Sequence, residues 1–296
     1  MTAGAPRLAG FAVALAVLFG IGALAGGVFD PAPPNASPQR PAAARQAMAG
    51  MAQTDQHGAG GSAVKMGVRG LAVSAEGLRM VVDTPVFEPG RTRELRFRVL
   101  DDRERALRDY DVQHTKRMHL IVVRRDLSGF QHLHPRFAAD GTWRVPLRLD
   151  AAGSYRVFAD FSHDDTPVTL GSDLTVDGRF SARQLPAPRL ETAAGHYQVR
   201  LVAAKAAPGR ETELRFAVRR NGEPVQVEPY LGADGHLVAL REGDLAFLHV
   251  HPTKSGDHRA ITFEATLPTT GRYRLFLQFK VGGRVQTAAF TKAVSR

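Results

Sequence analysis

The stretch GSYRVFADF at residues 153–161 recurs as GRYRLFLQF at residues 271–279. The similarity around it extends over residues 79–176 in the first copy and residues 196–294 in the second. A repeat of this length indicates two copies of one structural unit rather than one larger domain.

Within each copy, apolar and polar residues alternate with the period of two that predicts β-strands. Leu95, Phe97 and Val99 form one such series. Turn-forming pairs such as Asp140-Gly141 separate the series. About seven strands in roughly 100 residues predict an immunoglobulin-like fold, although a Greek-key barrel has a similar strand count. The predicted fold class is all-β, with two tandem immunoglobulin-like β-sandwich modules preceded by one N-terminal transmembrane or signal helix.

The N-terminal segment predicts export from the cytoplasm. Residues 8–29 carry no charge and are mostly apolar, a length that can cross a bilayer. Arg7 favours a cytoplasmic location for residues 1–7, as in a membrane anchor. Alternatively, residues 23–25 (Ala-Leu-Ala) form the cleavage pattern of a signal peptide. In both cases the remaining chain lies in the cell envelope, membrane-anchored with its C-terminal modules extracytoplasmic, or secreted if the segment is cleaved.

Composition divides the rest of the chain into four parts. Residues 30–69 are rich in Pro, Ala and Gly, which predicts a disordered tether. Module 1 is predicted at residues 70–180 and module 2 at residues 191–296. Residues 181–190, which include two prolines, form the predicted connector.

Charge and cysteine content limit the possible partners. Lys and Arg outnumber Asp and Glu by 39 to 29, a charge that attracts anionic lipid, cell-wall polymer or nucleic acid without choosing among them. Besides a metal ion, the expected partners are another envelope protein or an anionic surface. No nucleic-acid-binding motif is present, so nucleic acid is not expected. Cysteine is absent, so any metal site must use histidine, methionine or carboxylate ligands.

Six of the eleven histidines repeat at the same spacing, with the second and third following the first by 13 and 15 residues. They are His119, His132 and His134 in the first copy and His236, His249 and His251 in the second. A proline closes each His-x-His pair, at Pro135 and Pro252. Because proline cannot donate to a sheet ladder, each strand is predicted to end there, near a rim of the sandwich.

Strand geometry predicts that each trio converges. Residues two apart on a strand face the same side, so His132 and His134 should point together. A hairpin around residues 126–129 would place Val123 opposite His132 and Ile121 opposite His134. His119 would then share their face, unless a bulge changed the register.

Three imidazoles without thiolate suit copper or zinc. The sequence therefore predicts one three-histidine metal site per module, with Asp111 or Glu228 as candidate carboxylate ligands. His114 and Met118 are matched by Leu231 and Gly235 and are expected to be peripheral. The alternative is a structural or interaction module, in which the histidines cap strand ends or form a polar contact between modules.

Two pairs of segments carry a resemblance to known proteins. MHLIVV at residues 118–123 with FQHLHP at 130–135, and YLGADGHLVAL at 230–240 with LHVHP at 248–252, are similar to poorly characterised bacterial secreted proteins. More loosely, both modules resemble YtkA-like and CopC-like domains, small envelope β-sandwiches linked to copper handling.

The CopC-like site uses a mature N-terminal histidine, whereas cleavage after Ala25 would leave Gly26 first. Only the His-x-His element carries over, onto residues 132–134 and 249–251. The same difference argues against a copper monooxygenase.

The predicted function is a non-catalytic envelope protein that buffers or delivers copper or zinc. No serine-hydrolase, phosphate-loop or HExxH motif is present. His163, Asp164 and Asp165 are adjacent, but the second copy has Val281-Gly282-Gly283 in that region. A hydrated turn is therefore the favoured interpretation, and an enzyme is not expected.

Overall fold

A computed structural model describes residues 68–202, 206–248, 250–253 and 260–295 of the chain. The predicted helix at residues 8–29 and most of the predicted tether lie outside the described residues. All regular elements within the described ranges are β-strands. None of these residues forms a helix long and apolar enough to cross a membrane.

Module 1 contains ten strands, several of them short. They are β1 (Ser74–Ala75), β2 (Leu78–Val82), β3 (Val86–Phe87), β4 (Thr92–Leu100), β5 (His119–Arg124), β6 (Gln131–Leu133), β7 (Arg136–Phe137), β8 (Trp143–Arg148), β9 (Gly153–His163) and β10 (Thr166–Val176). They form two sheets, with strand orders β1-β2-β4-β8-β7 and β3-β10-β9-β5-β6.

Module 2 repeats this arrangement. Its strands are β11 (Glu191–Ala194), β12 (Tyr197–Leu201), β13 (Glu211–Arg220), β14 (Glu223–Pro224), β15 (His236–Arg241), β16 (Phe247–Leu248), β17 (Val250–Thr253), β18 (Ala260–Thr266), β19 (Gly271–Val281) and β20 (Arg284–Val294). One sheet has the order β11-β12-β13-β18-β17, with β14 paired to β13, and the other has the order β16-β15-β19-β20.

These strand orders are those of an immunoglobulin-like sandwich. In module 1, β2-β4-β8-β7 corresponds to the A-B-E-D sheet and β10-β9-β5-β6 to the G-F-C-C′ sheet. A tyrosine at the start of each F strand supports the assignment. The hydroxyl of Tyr155 donates to the Ala151 carbonyl at 2.8 Å, and that of Tyr273 donates to the Thr269 carbonyl at 2.9 Å. This tyrosine corner explains why GSY and GRY recur at matching positions.

Each module has its own apolar core, and a third apolar core lies between the two modules. All six residues of β5 are buried. Leu120 and Val122 point into the core of module 1, whereas Ile121 and Val123 belong to a cluster that includes Val238 of module 2. The outer face of one C-F-G sheet therefore packs against its counterpart, so β5 reads as a continuous apolar run.

Aromatic contacts across this interface occur in a reciprocal pair. The ring of Phe130 stacks on that of Phe276 at 4.1 Å, and the ring of Phe158 lies 5.4 Å from that of Phe247. Phe130 matches Phe247 in the repeat, and Phe158 matches Phe276. Exchanging the two modules therefore converts one contact into the other, as expected for docking about an approximate two-fold axis.

The first described residues also connect the two modules. The amide of Phe247 donates to the Arg69 carbonyl at 3.0 Å, and the amide of Gly70 donates to the Thr169 carbonyl at 3.2 Å. Residues 69–70 therefore bond to β16 of module 2 and to β10 of module 1.

Candidate metal centre

Three histidines of module 1 converge on one point. His119, His132 and His134 each offer a ring nitrogen, and these atoms all lie within 4.8 Å of one another. The closest pair is Nδ1 of His119 and Nε2 of His132, at 3.0 Å. Nitrogens bound tetrahedrally at 2.0–2.1 Å would lie about 3.3 Å apart. Small side-chain rotations would therefore suffice to hold an ion.

Hairpin register brings the first two of these histidines together. Ile121 pairs with His132 across β5 and β6, whereas the sequence prediction placed Val123 there. The prediction was wrong by two residues, because a longer loop of residues 125–130 connects the strands. A shift of two preserves side-chain parity, so His119 and His132 still share a face.

His134 reaches the point by a different route from the predicted one. Strand β6 ends at Leu133, and the chain then crosses to the other sheet to form β7. The prediction that His132 and His134 point together along one strand is therefore wrong in detail. It is the crossover at residues 134–135, and not pleat alternation, that turns His134 toward the other two.

The trio lies between the modules and not on an open rim. Its face of β5 continues into Ile121 and Val123 of the inter-module core. His236 of module 2 stacks against it, with ring centroids 4.6 Å from His132 and 5.5 Å from His119. The prediction of a rim location considered each module by itself. In the folded chain, module 2 docks on that face of module 1 and covers it.

Second partners orient both closely spaced rings. Nε2 of His119 lies 3.1 Å from the Gln113 carbonyl, and Nδ1 of His132 lies 2.6 Å from Oε1 of Gln278 in module 2. With the Gln278 amide in this orientation both partners are oxygen acceptors, and each of these ring nitrogens then carries the proton. The lone pairs of His119 Nδ1 and His132 Nε2 then face each other, as in a site prepared for a cation.

The third ring provides an unsatisfied nitrogen. Among the described residues, Nε2 of His134 is buried and has no hydrogen-bond partner. A buried polar atom without a partner is costly and uncommon in native proteins. A bound ion would supply the missing partner.

Burial keeps these histidines neutral. Burial, together with a smaller repulsion from neighbouring histidines, lowers the pKa of His132 to about 3 and that of His134 to about 4. Burial also lowers the pKa of His119 and takes that of His236 well below its ordinary value. Neutral imidazole is the form that binds metal.

The metal-free protein is therefore expected to lose stability as the pH falls. An unfolded histidine takes up a proton near pH 6.5, whereas folded His132 and His134 do so only near pH 3 and 4. Between these values the unfolded chain binds more protons, so acid favours unfolding. Urea unfolding in the presence of a chelator should show this loss between pH 7 and pH 4. His132→Asn should reduce the slope of the unfolding free energy against pH. Equal slopes for the wild-type and variant proteins would contradict the low pKa of His132 in the folded protein.

The predicted second trio is only partly described. His236 begins β15 and lies against the module 1 trio, as given above. His249 and the side chain of His251 lie outside the described residues. The backbone of residue 251 lies in β17, paired with Glu264 of β18. Pro252 lies inside this strand and does not end it, which an edge strand tolerates because one of its sides needs no donor.

Several neighbours of the trio were not predicted from the sequence. His114, expected to be peripheral, has its ring 6.1 Å from that of His119 and 6.0 Å from that of His236. Asp160 pairs with His119 across β5 and β9. Burial raises its pKa, and Thr169 donates to Oδ1 of its carboxyl group at 2.7 Å. The position matching Asp160 in module 2 is Gln278, and no sequence motif marks either residue as part of a site.

The two predicted carboxylate ligands serve other purposes. Asp111 accepts hydrogen bonds from the Ser162 hydroxyl and the Asp165 amide, both at 2.9 Å. Glu228 accepts one from the Gly283 amide at 2.9 Å. Each carboxylate therefore stabilises the F–G hairpin of its module. Met118 is buried in the core of module 1.

Comparison with solved structures gives matches with low TM-scores. The Escherichia coli adhesin FdeC is 16% identical, with 76% of this chain and 66% of that chain covered and a TM-score of 0.27. Salmonella alpha-2-macroglobulin is 15% identical, with coverages of 77% and 15% and a TM-score of 0.28. The Lin-41 filamin domain is 16% identical, with coverages of 38% and 99% and a TM-score of 0.25. The chain thus spans less than two thirds of the adhesin and a small part of the macroglobulin, and these scores support no argument about function.

No curated protein matches the sequence significantly. One protein family does match, over residues 73–178 and again over residues 191–296. The two matches correspond to the two sandwich modules and together cover more than half of the chain. The chain therefore belongs to the family described as "Domain of unknown function (DUF8832)" and carries two copies of its domain.

Proposed function

We propose that this protein binds a copper or zinc ion through His119, His132 and His134, in order to buffer or deliver the metal in the cell envelope. The observation that carries the proposal is the buried Nε2 of His134, which has no hydrogen-bond partner among the described residues. His134 belongs to a trio of histidines that each offer a ring nitrogen, and these atoms all lie within 4.8 Å of one another. Three neutral imidazoles are a ligand set that suits both metals.

One acidic residue lies next to the trio and can balance the charge of an ion. Burying an ion is costly unless an opposite charge lies nearby. Asp160 pairs directly with His119 across β5 and β9, and a bound cation would favour the charged form of its carboxyl group. In this proposal Asp160 takes the place of Asp111 and Glu228 as the acidic group near the ion.

The alternative function is structural, and one contact favours it. The bond between His132 and Gln278 links module 1 to module 2. With the Gln278 amide reversed, its NH₂ group would donate to Nδ1 of His132, and Nε2 of His132 could donate to Nδ1 of His119. A neutral chain of hydrogen bonds would then join the modules without a metal. That chain leaves Nε2 of His134 unsatisfied, which is why metal binding is preferred.

Metal content distinguishes the two functions. The untagged chain, expressed with its N-terminal segment and purified without chelator, should retain copper or zinc in mass spectrometry. His132→Ala should lose that metal, whereas His196→Ala, which changes an exposed histidine, should keep it. A metal-free wild-type chain that also takes up neither ion on titration would support the structural function.

The resemblance to copper-handling domains, the envelope location and the membrane anchor belong to the same proposal. The basic chain would bind to another envelope protein or to an anionic surface. The proposal involves no catalysis.

A further inference from the structure

We infer that the metal centre is shared by both modules, so that the ion binds only when module 2 is docked on module 1. The inference rests on the proposed function, since it concerns the same ion. All three proposed ligands belong to module 1, and yet module 2 provides the groups that orient and cover them. These groups are Gln278 and His236.

Gln278 is a positioning residue for His132. Its side chain is 7% exposed, and its Oε1 lies 2.6 Å from Nδ1 of His132. Its Nε2 donates to the Thr287 hydroxyl at 3.4 Å, which turns the carbonyl end toward the histidine. An acceptor at Nδ1 holds the proton there, and Nε2 of His132 is left free to bind the ion. Outer partners of this kind strengthen metal ligands.

His236 covers the same rings. Its plane lies at 27° to that of His132 and at 14° to that of His119. Stacked in this way, it covers two rings of the trio, and its own nitrogens are not part of the group of three. Lower water access strengthens the electrostatic interactions inside a site.

Docking and metal binding must then strengthen each other. A ligand that binds one conformation preferentially shifts the equilibrium toward it, and the coupling is the same in both directions. Module 2 docks through Phe276, whose ring stacks on Phe130 at 4.1 Å. A change at Phe276 touches no proposed ligand, and should nevertheless weaken metal binding.

Two variants of the full chain test the inference by calorimetric titration with Zn²⁺. Gln278→Leu removes the acceptor and should lower the affinity about 10–100-fold, the usual effect of losing an outer partner. Gln278→Glu keeps an oxygen acceptor and should restore affinity to the wild-type level or above. Failure of Gln278→Glu to restore binding would count against the positioning role.

Phe276→Asp places a charge in the apolar interface and should also lower the affinity at least tenfold. Val285→Asp is the matched control, because Val285 is 43% exposed on β20 of the same module. Hydrogen-exchange protection of β13 and β18, which lie in the other sheet of module 2, reports whether that module remains folded.

The outcomes separate the two claims. If the wild-type chain binds no metal, the proposed function fails. If it binds and both Gln278→Leu and Phe276→Asp bind equally well, only the shared centre is overturned.

Discussion

Wild-type protein is expected to gain about 4 kcal/mol of unfolding free energy when free Zn²⁺ is about 1,000-fold above its dissociation constant. The gain arises because the trio of ring nitrogens within 4.8 Å exists only in the folded chain. For a chain of this size, it corresponds to a rise in Tm of about 8–16 °C. The double substitution of His119→Leu and His132→Leu should abolish the rise. Differential scanning calorimetry with and without the ion measures both.

The control for this experiment is His196→Ala, which should show the full rise. Repeating the titration with Cu²⁺ tests which metal the site prefers. Equal shifts in the wild-type and double-variant proteins would show that the ion binds elsewhere, and the trio would then be excluded as the site.

Replacing Phe158 with alanine is expected to lower the free energy of unfolding by about 3–5 kcal/mol, the usual cost of removing a large buried ring. Phe158 is 0% exposed and lies in the core between the modules, 5.4 Å from the ring of Phe247. The loss includes the burial free energy of the ring and the cavity that remains. Urea unfolding followed by tryptophan fluorescence measures it, since Trp143 is the only tryptophan in the chain.

Val112→Ala is the surface control for Phe158→Ala. Val112 is 64% exposed, so its truncation should change stability by no more than about 0.5 kcal/mol. A loss at Phe158 similar to that at Val112 would mean that the modules do not pack through these faces in solution.

The module fold could be predicted from the sequence because local patterns specify it. Alternation in residues such as Leu95 and Phe97 follows from the pleat of a strand, and both side chains are buried in the core of module 1. The repeated Tyr155 and Tyr273 mark the same corner of each sandwich. The sequence favoured a sandwich but did not exclude a Greek-key barrel, because strand order depends on pairings between distant segments.

The candidate site was predicted partly for the right reason. His119 and His132 share a face because the register error was two residues, and parity survives an even shift. His134 joined them through a chain crossover that the sequence does not reveal. The contribution of Gln278 could not be foreseen, because it lies 146 residues from His132 and comes from the other module.

The sequence by itself determined that two similar β-modules form and that one histidine pattern recurs in both. Hydrophobic period, turn residues and the repeated motifs are patterns of the sequence itself. They can be recognised without knowing the surface against which each module packs. Only the tertiary structure decided that the first trio faces module 2, with the His236 ring over it and the Gln278 amide against it. Docking of two sheet faces depends on the complementarity of surfaces far apart in sequence, which no local pattern encodes.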